Sequence, residues 1–191
     1  MTCIVGLEHD GIAWLGGDSI AVDDSQDSMI LTSPKVFALM GGQLLIGHSG
    51  GLREQQALKY GLADMSCPMP VVGGEEAWLC TAFADSVRDA FRRFGILKNE
   101  NGVEKAGAFL VGLAGGVYLF EESCGVLRGQ KGYAALGCGA KYALGAISAL
   151  SRRGFTTAPV KMIEIALYAA AQHNAWVKGP FTILSETKAQ G

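Results

Sequence analysis

The sequence predicts an α+β fold in four layers, helix on sheet on sheet on helix. Two observations carry that expectation. Strand and helix patterns come in blocks: four strands, two helices, three strands, two helices and a last strand. Of the 191 residues, 49% are hydrophobic and only 18% charged, so much apolar surface must be hidden. No linker, repeat or low-complexity tract divides the chain, which reads as one domain over residues 1–191.

Each element can be read in order. "TCIVGLE" and "IAWLGGDS" flank "HDG", a hairpin with Asp10-Gly11 as its turn. An acidic loop, "AVDDSQDS", leads to "KVFALM" and "QLLIGHSG", a second hairpin turning at Gly41-Gly42. "LREQQALKYGLA" has a helical composition, and "CPMPVVGG" breaks the chain after it. In "EEAWLCTAFADSVRDAFRRFG", Leu79, Phe83, Val87, Phe91 and Phe94 form one apolar stripe at helical spacing. Glu75 and Glu76 lie at the start of that helix and Arg88, Arg92 and Arg93 near its end, as the helix dipole favours. "KNENGVEK" reads as a loop, and "AFLVGL" and "VYLFEE" as a third hairpin. "YAALG" is a short strand. "AKYALGAISALSRRG" and "PVKMIEIALYAAAQHN" are two further helices, and "PFTILSE" closes as a strand.

Composition also excludes functions. Charged and polar residues interrupt every apolar run, so no membrane span is expected. A net charge of −2 with scattered Lys and Arg argues against nucleic-acid binding. The start lacks a basic segment followed by an apolar one, which points to a cytoplasmic location. The five cysteines are odd in number, lack CxxC spacing and read as free thiols. The three histidines stand far apart and none pairs with Cys or a carboxylate at ligand spacing, so neither a metal nor a cofactor is expected. "GCGAKYALG" fails as a dinucleotide fingerprint because Tyr142 occupies the third glycine position. Apolar surface in excess of one small domain suggests subunit interfaces.

Several residues could carry chemistry, each beside a plainer role. Thr2 is a strand residue or, once Met1 is removed, an N-terminal nucleophile. Asp18 follows two glycines at a strand end, where carboxylates are also common in turns. Lys35 follows a proline at a strand start, where lysines are often just solvated. "GHSGG" joins a strand to a helix, so it is an anion-binding nest or a simple turn. His48 and His173 fit packed or surface positions better than ligand positions.

Together, "TCIVG" at the start, "GGDS" ending the second strand, a lysine opening the third, "HSGG", and "GCGAKYALGA" resemble the proteasome β-subunit family, including its bacterial relative HslV. The resemblance runs over nearly the whole chain. It implies the four-layer αββα sandwich of N-terminal nucleophile hydrolases, a threonine peptidase, and self-assembly into stacked rings that process peptides or unfolded polypeptides, with an AAA+ unfoldase as a further partner. By this resemblance Thr2 is the nucleophile and its own α-amine the base, an amine of pKa about 8 being suited to that task. Lys35 lowers the amine's pKa, Asp18 orients Lys35, and the Gly50 N–H donates to the oxyanion. The substrate's first side chain is expected near Ser33, Phe37, His48 and Leu52. Cys138 replaces a family serine, Asn174 an aspartate and Val177 a second serine, while Ile20 stands where an arginine is usual. Asn174 can hydrogen-bond but carries no charge to hold a cation. Two rival readings share this fold: a catalytically silent shell protein that keeps Met1, and an amidase acting on small amides.

Overall fold

The computed structural model describes residues 2–22, 27–66, 74–152 and 158–187. Met1, residues 23–26 of the acidic loop, the break at 67–73, the connection at 153–157 and residues 188–191 lie outside the described residues.

The first hairpin pairs β1 (Ile4–His9) with β2 (Ile12–Gly17). Its turn residues Asp10 and Gly11 both have positive φ, 51° and 69°, the left-handed pair that matches strand twist in a two-residue loop. β3 (Ile20–Val22) and β4 (Ser28–Ile30) form a small ribbon. The second hairpin joins β5 (Val36–Leu39) to β6 (Leu44–His48) through Met40–Gly42, and α1 (Leu52–Gly61) follows. α2 (Glu75–Trp78) runs through one π-helical segment, Leu79–Phe83, into α3 (Ala84–Arg93). A second ribbon, β7 (Lys98–Glu100) with β8 (Val103–Lys105), precedes the hairpin of β9 (Phe109–Leu113) and β10 (Gly116–Phe120). β11 (Val126–Arg128), β12 (Tyr133–Leu136), α4 (Ala140–Arg152), α5 (Pro159–His173) and β13 (Thr182–Ser185) complete the order. Pro159 opens α5, where its missing N–H costs nothing.

Two antiparallel sheets result, β12-β1-β2-β13 and β11-β10-β9-β6-β5. The two-residue period of the strands sends alternate side chains to opposite faces. Ile4, Leu15, Val36, Leu45, Leu110 and Val117 meet between the sheets. Cys3, Val5 and Leu7, the other face of β1, pack on Ile147, Ile163 and Leu167 of α4 and α5. Leu44 and Ile46 of β6 turn the opposite way, onto Leu58 of α1 and Val87 and Phe91 of α3. The layers are therefore α1/α3, five strands, four strands, α4/α5, the αββα order expected. Leu79, Phe83, Val87 and Phe91 are buried as the stripe requires, and Phe94 packs at its margin.

Five short strands depart from the sequence reading. "KNENGVEK" is the β7–β8 ribbon and not a loop; its turn, Asn101-Gly102, has positive φ at both residues. β11 adds a fifth strand beside β10, and β3 and β4 flank the acidic loop. β4 and β7 are exposed throughout and β11 largely so, so none shows the apolar alternation that marks a strand in sequence.

Candidate active site

Three of the residues singled out by sequence converge at the edge where both sheets meet. β1 and β2 are in register so that Ile4 lies opposite Gly17, which sets Asp18 beside Cys3. Asp18 accepts from the Cys3 N–H at 2.8 Å through Oδ1 and from the Ile20 N–H at 3.2 Å through Oδ2. Lys35 precedes β5 in the facing sheet. A Cβ on Gly17 would stand 2.8 Å from Val36 Cγ2 and 2.9 Å from Ile4 Cδ1, so only glycine lets β2 approach β5 this closely. That approach brings Lys35 Nζ to 3.0 Å from Asp18 Oδ2 and 3.2 Å from Oδ1. The same ammonium donates to Thr2 Oγ1 at 3.0 Å. The Lys35 and Asp18 side chains are 6% and 0% exposed. A buried ion pair of this kind contributes little net stability, because desolvation offsets the attraction. Its placement against a threonine hydroxyl is better accounted for by chemistry than by folding.

The α4 start closes the other side of Thr2. Gly137 has φ of +93°, and a Cβ there would collide with the Thr2 carbonyl oxygen and stand 2.9 Å from Ser49 Oγ. Gly139 N–H donates to the same carbonyl at 3.3 Å, and the Cys138 thiol does so at 3.4 Å. Asn174 ends α5, and its Nδ2 donates to the Cys138 carbonyl at 3.0 Å while its Oδ1 accepts from Trp176 N–H at 2.9 Å. Its Oδ1 also lies 3.7 Å from the Cys138 sulfur. Asn174 thus reaches Thr2 through Cys138. Val177 and Ile20 are buried apolar side chains; Val177 packs with Cys3. The Cys3 thiol itself is pushed up to about 12 by burial first and by the Asp18 carboxylate second, so it stays protonated and poorly nucleophilic.

The strand-to-helix turn after β6 supplies the third wall. Gly50 is exposed, and among the described residues no acceptor meets its N–H. Ser49, the residue before it, and the Thr2 carbonyl both border the space that a Cβ on Gly137 would fill, so this turn lies beside Thr2. The four expected substrate residues do not share one pocket. Ser33 and Leu52 line a shallow groove of about 110 Å³ with Gln55, Lys59 and Tyr60. Phe37 is buried in the core under α1 and α3, and His48, only 2% exposed, pairs with Glu54. Glu54 is a polar residue of this region that the sequence reading missed. Its signal was present: a glutamate three residues after Gly51, at the third position of α1, where it accepts from the Gly51 N–H at 3.2 Å. Its carboxyl is held below the ordinary range, chiefly by the hydrogen bond from His48.

Among the described residues no helix is long and apolar enough to cross a membrane, and no group of three or more His, Cys, Asp or Glu side chains is arranged to hold a metal ion. No family model and no curated protein matches the chain. Solved structures do. BPH from Thiobacillus denitrificans, in complex with epoxomicin, superposes with a TM-score of 0.79 at 17% identity, covering 97% of this chain and 99% of that one. Eukaryotic HslV from Trypanosoma brucei gives 0.68 at 16% identity over 97% and 99%. Anbu, an ancestral beta-subunit, from Yersinia bercovieri gives 0.65 at 13% identity over 96% and 81%. At these identities the likeness is one of fold, and the chain has the αββα sandwich of the N-terminal nucleophile hydrolases.

Proposed function

We propose that this chain is the subunit of a threonine peptidase that assembles from copies of itself into stacked rings in the cytoplasm, with Thr2 as nucleophile once Met1 is removed. The observation that carries the reading is the buried Lys35 ammonium, 3.0 Å from Thr2 Oγ1 and held by Asp18. A fixed positive charge at that distance stabilises a hydroxyl oxygen as it gains negative charge. The Thr2 α-amine, free after methionine removal, takes the hydroxyl proton, and Oγ1 adds to the substrate's peptide carbonyl. The oxygen of the tetrahedral intermediate accepts from the Gly50 N–H. The C–N bond then breaks as the amine returns its proton to the leaving nitrogen. Water, activated by the same amine, hydrolyses the ester and regenerates Thr2. Cys138 and Asn174 act one step back: the Cys138 thiol donates to the Thr2 carbonyl, and Asn174 holds Cys138 through its backbone carbonyl.

The likeness to a structure holding epoxomicin, a covalent inhibitor of threonine proteases, supports the same reading and supplies a probe. Intact mass of the purified protein is expected to show loss of one methionine and, after incubation with epoxomicin, one added inhibitor mass per chain. Thr2→Ala is expected to lose both the adduct and peptide hydrolysis, and Thr2→Ser to keep part of each. A chain that retains Met1 and stays unlabelled would instead be a silent shell protein. Undiminished hydrolysis in Thr2→Ala would place the chemistry elsewhere. Hydrolysis of small amides alone, by a protein that forms no ring, would favour the amidase.

A further inference from the structure

Glu54 lies outside the Thr2–Lys35–Asp18 cluster, yet one of its carboxylate oxygens organises the turn that carries the Gly50 N–H. Oε2 accepts from the Gly51 N–H at 3.2 Å and lies 3.1 Å from His48 Nε2. Glu54 is held below its ordinary pKa, so at neutral pH it is a carboxylate and only accepts; the proton of this bond is therefore on His48 Nε2. Oε2 also lies so close to the Gly50 Cα that a Cβ there would collide with it, and His48 Nε2 would be 2.9 Å from that Cβ. One oxygen thus ties together the side chain two residues before Gly50 and the amide one residue after it. His48 is itself immobilised, being 2% exposed at the end of β6. Glu54 is fixed by its place in the first turn of α1.

We propose that Glu54 and His48 are positioning residues that hold the Gly50 N–H toward the carbonyl attacked by Thr2. This rests on Gly50 being the oxyanion donor, as argued above. Two successive glycines give this turn more backbone freedom than any other pair of residues would, and with no Cβ at Gly50 nothing local fixes its peptide plane. The Glu54 oxygen supplies the missing restraint from outside. Without it the donor samples other orientations, and catalysis is lost in proportion, because an oxyanion donor works only when it is already aimed at the charge that develops. A contact made mainly in the transition state affects kcat and leaves KM nearly unchanged.

The test uses the full chain with Met1 removed, a fluorogenic peptide and epoxomicin. Glu54→Ala is expected to lower kcat by roughly 10- to 100-fold, less than the roughly 10²–10³ seen when an oxyanion donor is deleted outright. KM should stay within about twofold. Glu54→Gln should recover kcat to within a few-fold, since its amide oxygen can accept the same two hydrogen bonds. His48→Asn, whose shorter donor cannot reach Glu54, should repeat the kcat loss without touching the helix terminus. Hydrogen exchange over residues 48–54 should quicken in Glu54→Ala and His48→Asn and stay near parental in Glu54→Gln. An active parent with Glu54→Ala at parental kcat overturns this proposal alone. So does an equal loss in Glu54→Gln with parental exchange. A parent with exposed Thr2 that neither hydrolyses peptide nor takes up epoxomicin overturns the peptidase reading, and this proposal with it.

Discussion

Lys35 faces two demands, because the same ammonium neutralises buried Asp18 and donates to the Thr2 hydroxyl. Replacing it separates them. Lys35→Met keeps most of the apolar stem but strands a fully buried carboxylate, and breaking such a pair costs about 3–5 kcal/mol. Turnover should also fall by roughly 10²–10³-fold, the scale of losing one electrostatic stabiliser of the reacting oxygen. The double variant Lys35→Met, Asp18→Asn removes the stranded charge, so melting should recover most of the loss while turnover stays low. Turnover that recovers together with melting would reduce Lys35 to a structural cation. Glu54 gives a second prediction, in pH. Its folded pKa is lowered from 4.5, first by the His48 hydrogen bond, with the Gly51 N–H and the charge of Lys98 acting the same way. A lowered folded pKa adds stability that is present above the unfolded value and lost as pH falls through the folded one. The parent should therefore melt above Glu54→Gln at neutral pH, and the gap should close progressively as the pH drops below 4.5. A gap independent of pH would mean that the carboxylate's charge contributes nothing at this turn.

The hairpins depend on close approaches as much as on turns. Gly6 lies mid-strand in β1, on the face between the sheets. A Cβ there would stand 2.5 Å from Val117 Cγ1 and 3.0 Å from Leu15 Cδ2. Gly6→Ala should therefore overpack the inter-sheet core and lower stability by about 1–3 kcal/mol. Val117→Ala in the same chain should return part of that loss, since it removes the methyl that collides; purely additive losses in a chemical denaturation series would show that the sheets separate instead. Elements of this kind were legible in sequence because burial writes itself into alternation. β1, β2, β5, β6, β9 and β10 are largely buried, and their apolar periodicity and glycine-bearing turns mark them without a structure. β7 and β8 carry Lys, Asn and Glu and pair through backbone bonds and an exposed Lys105–Glu100 ion pair, with no apolar alternation, which leaves only the Asn-Gly turn as a signal. The candidate site divides in the same way. Thr2, Asp18 and Lys35 stand at strand ends whose register fixes them, and they could be named from motifs. The pairing of His48 with Glu54 could not be, because it depends on the rotamer a buried imidazole takes over the first turn of the next helix, which no spacing records. Phe37 shows the same limit, since its place in β5 was readable but the face it points to was not.

Both outer layers of the sandwich leave large apolar side chains in water, and this bears on the whole molecule. On the α1 side Leu52 and Tyr60 are 52% and 63% exposed; on the α4/α5 side Tyr142, Val160 and Tyr168 are exposed as well. Tyr142 stacks on His173 and Tyr168 meets Phe181 edge-on, so each ring is restrained by an aromatic neighbour. Apolar side chains on two opposite layers are surfaces that the ring proposed above, a closed assembly of identical chains, would bury. The purified protein should sediment as a homo-oligomer at micromolar concentration. Charge placed on one layer should break only the contacts made there: Tyr168→Glu with Val160→Glu should give smaller species, and Leu52→Glu with Tyr60→Glu a different set. All four positions are exposed in the single chain, so surface substitution should leave its melting within about 0.5 kcal/mol of stability once dissociated. A threonine peptidase enclosed in a ring should lose protein substrates' selectivity on dissociation before it loses small-peptide turnover, because the chamber screens substrates and the Thr2–Lys35–Asp18 cluster lies within one chain. A parent that is monomeric in dilute neutral buffer and still hydrolyses peptides would sink the ring and leave an N-terminal nucleophile hydrolase that works alone.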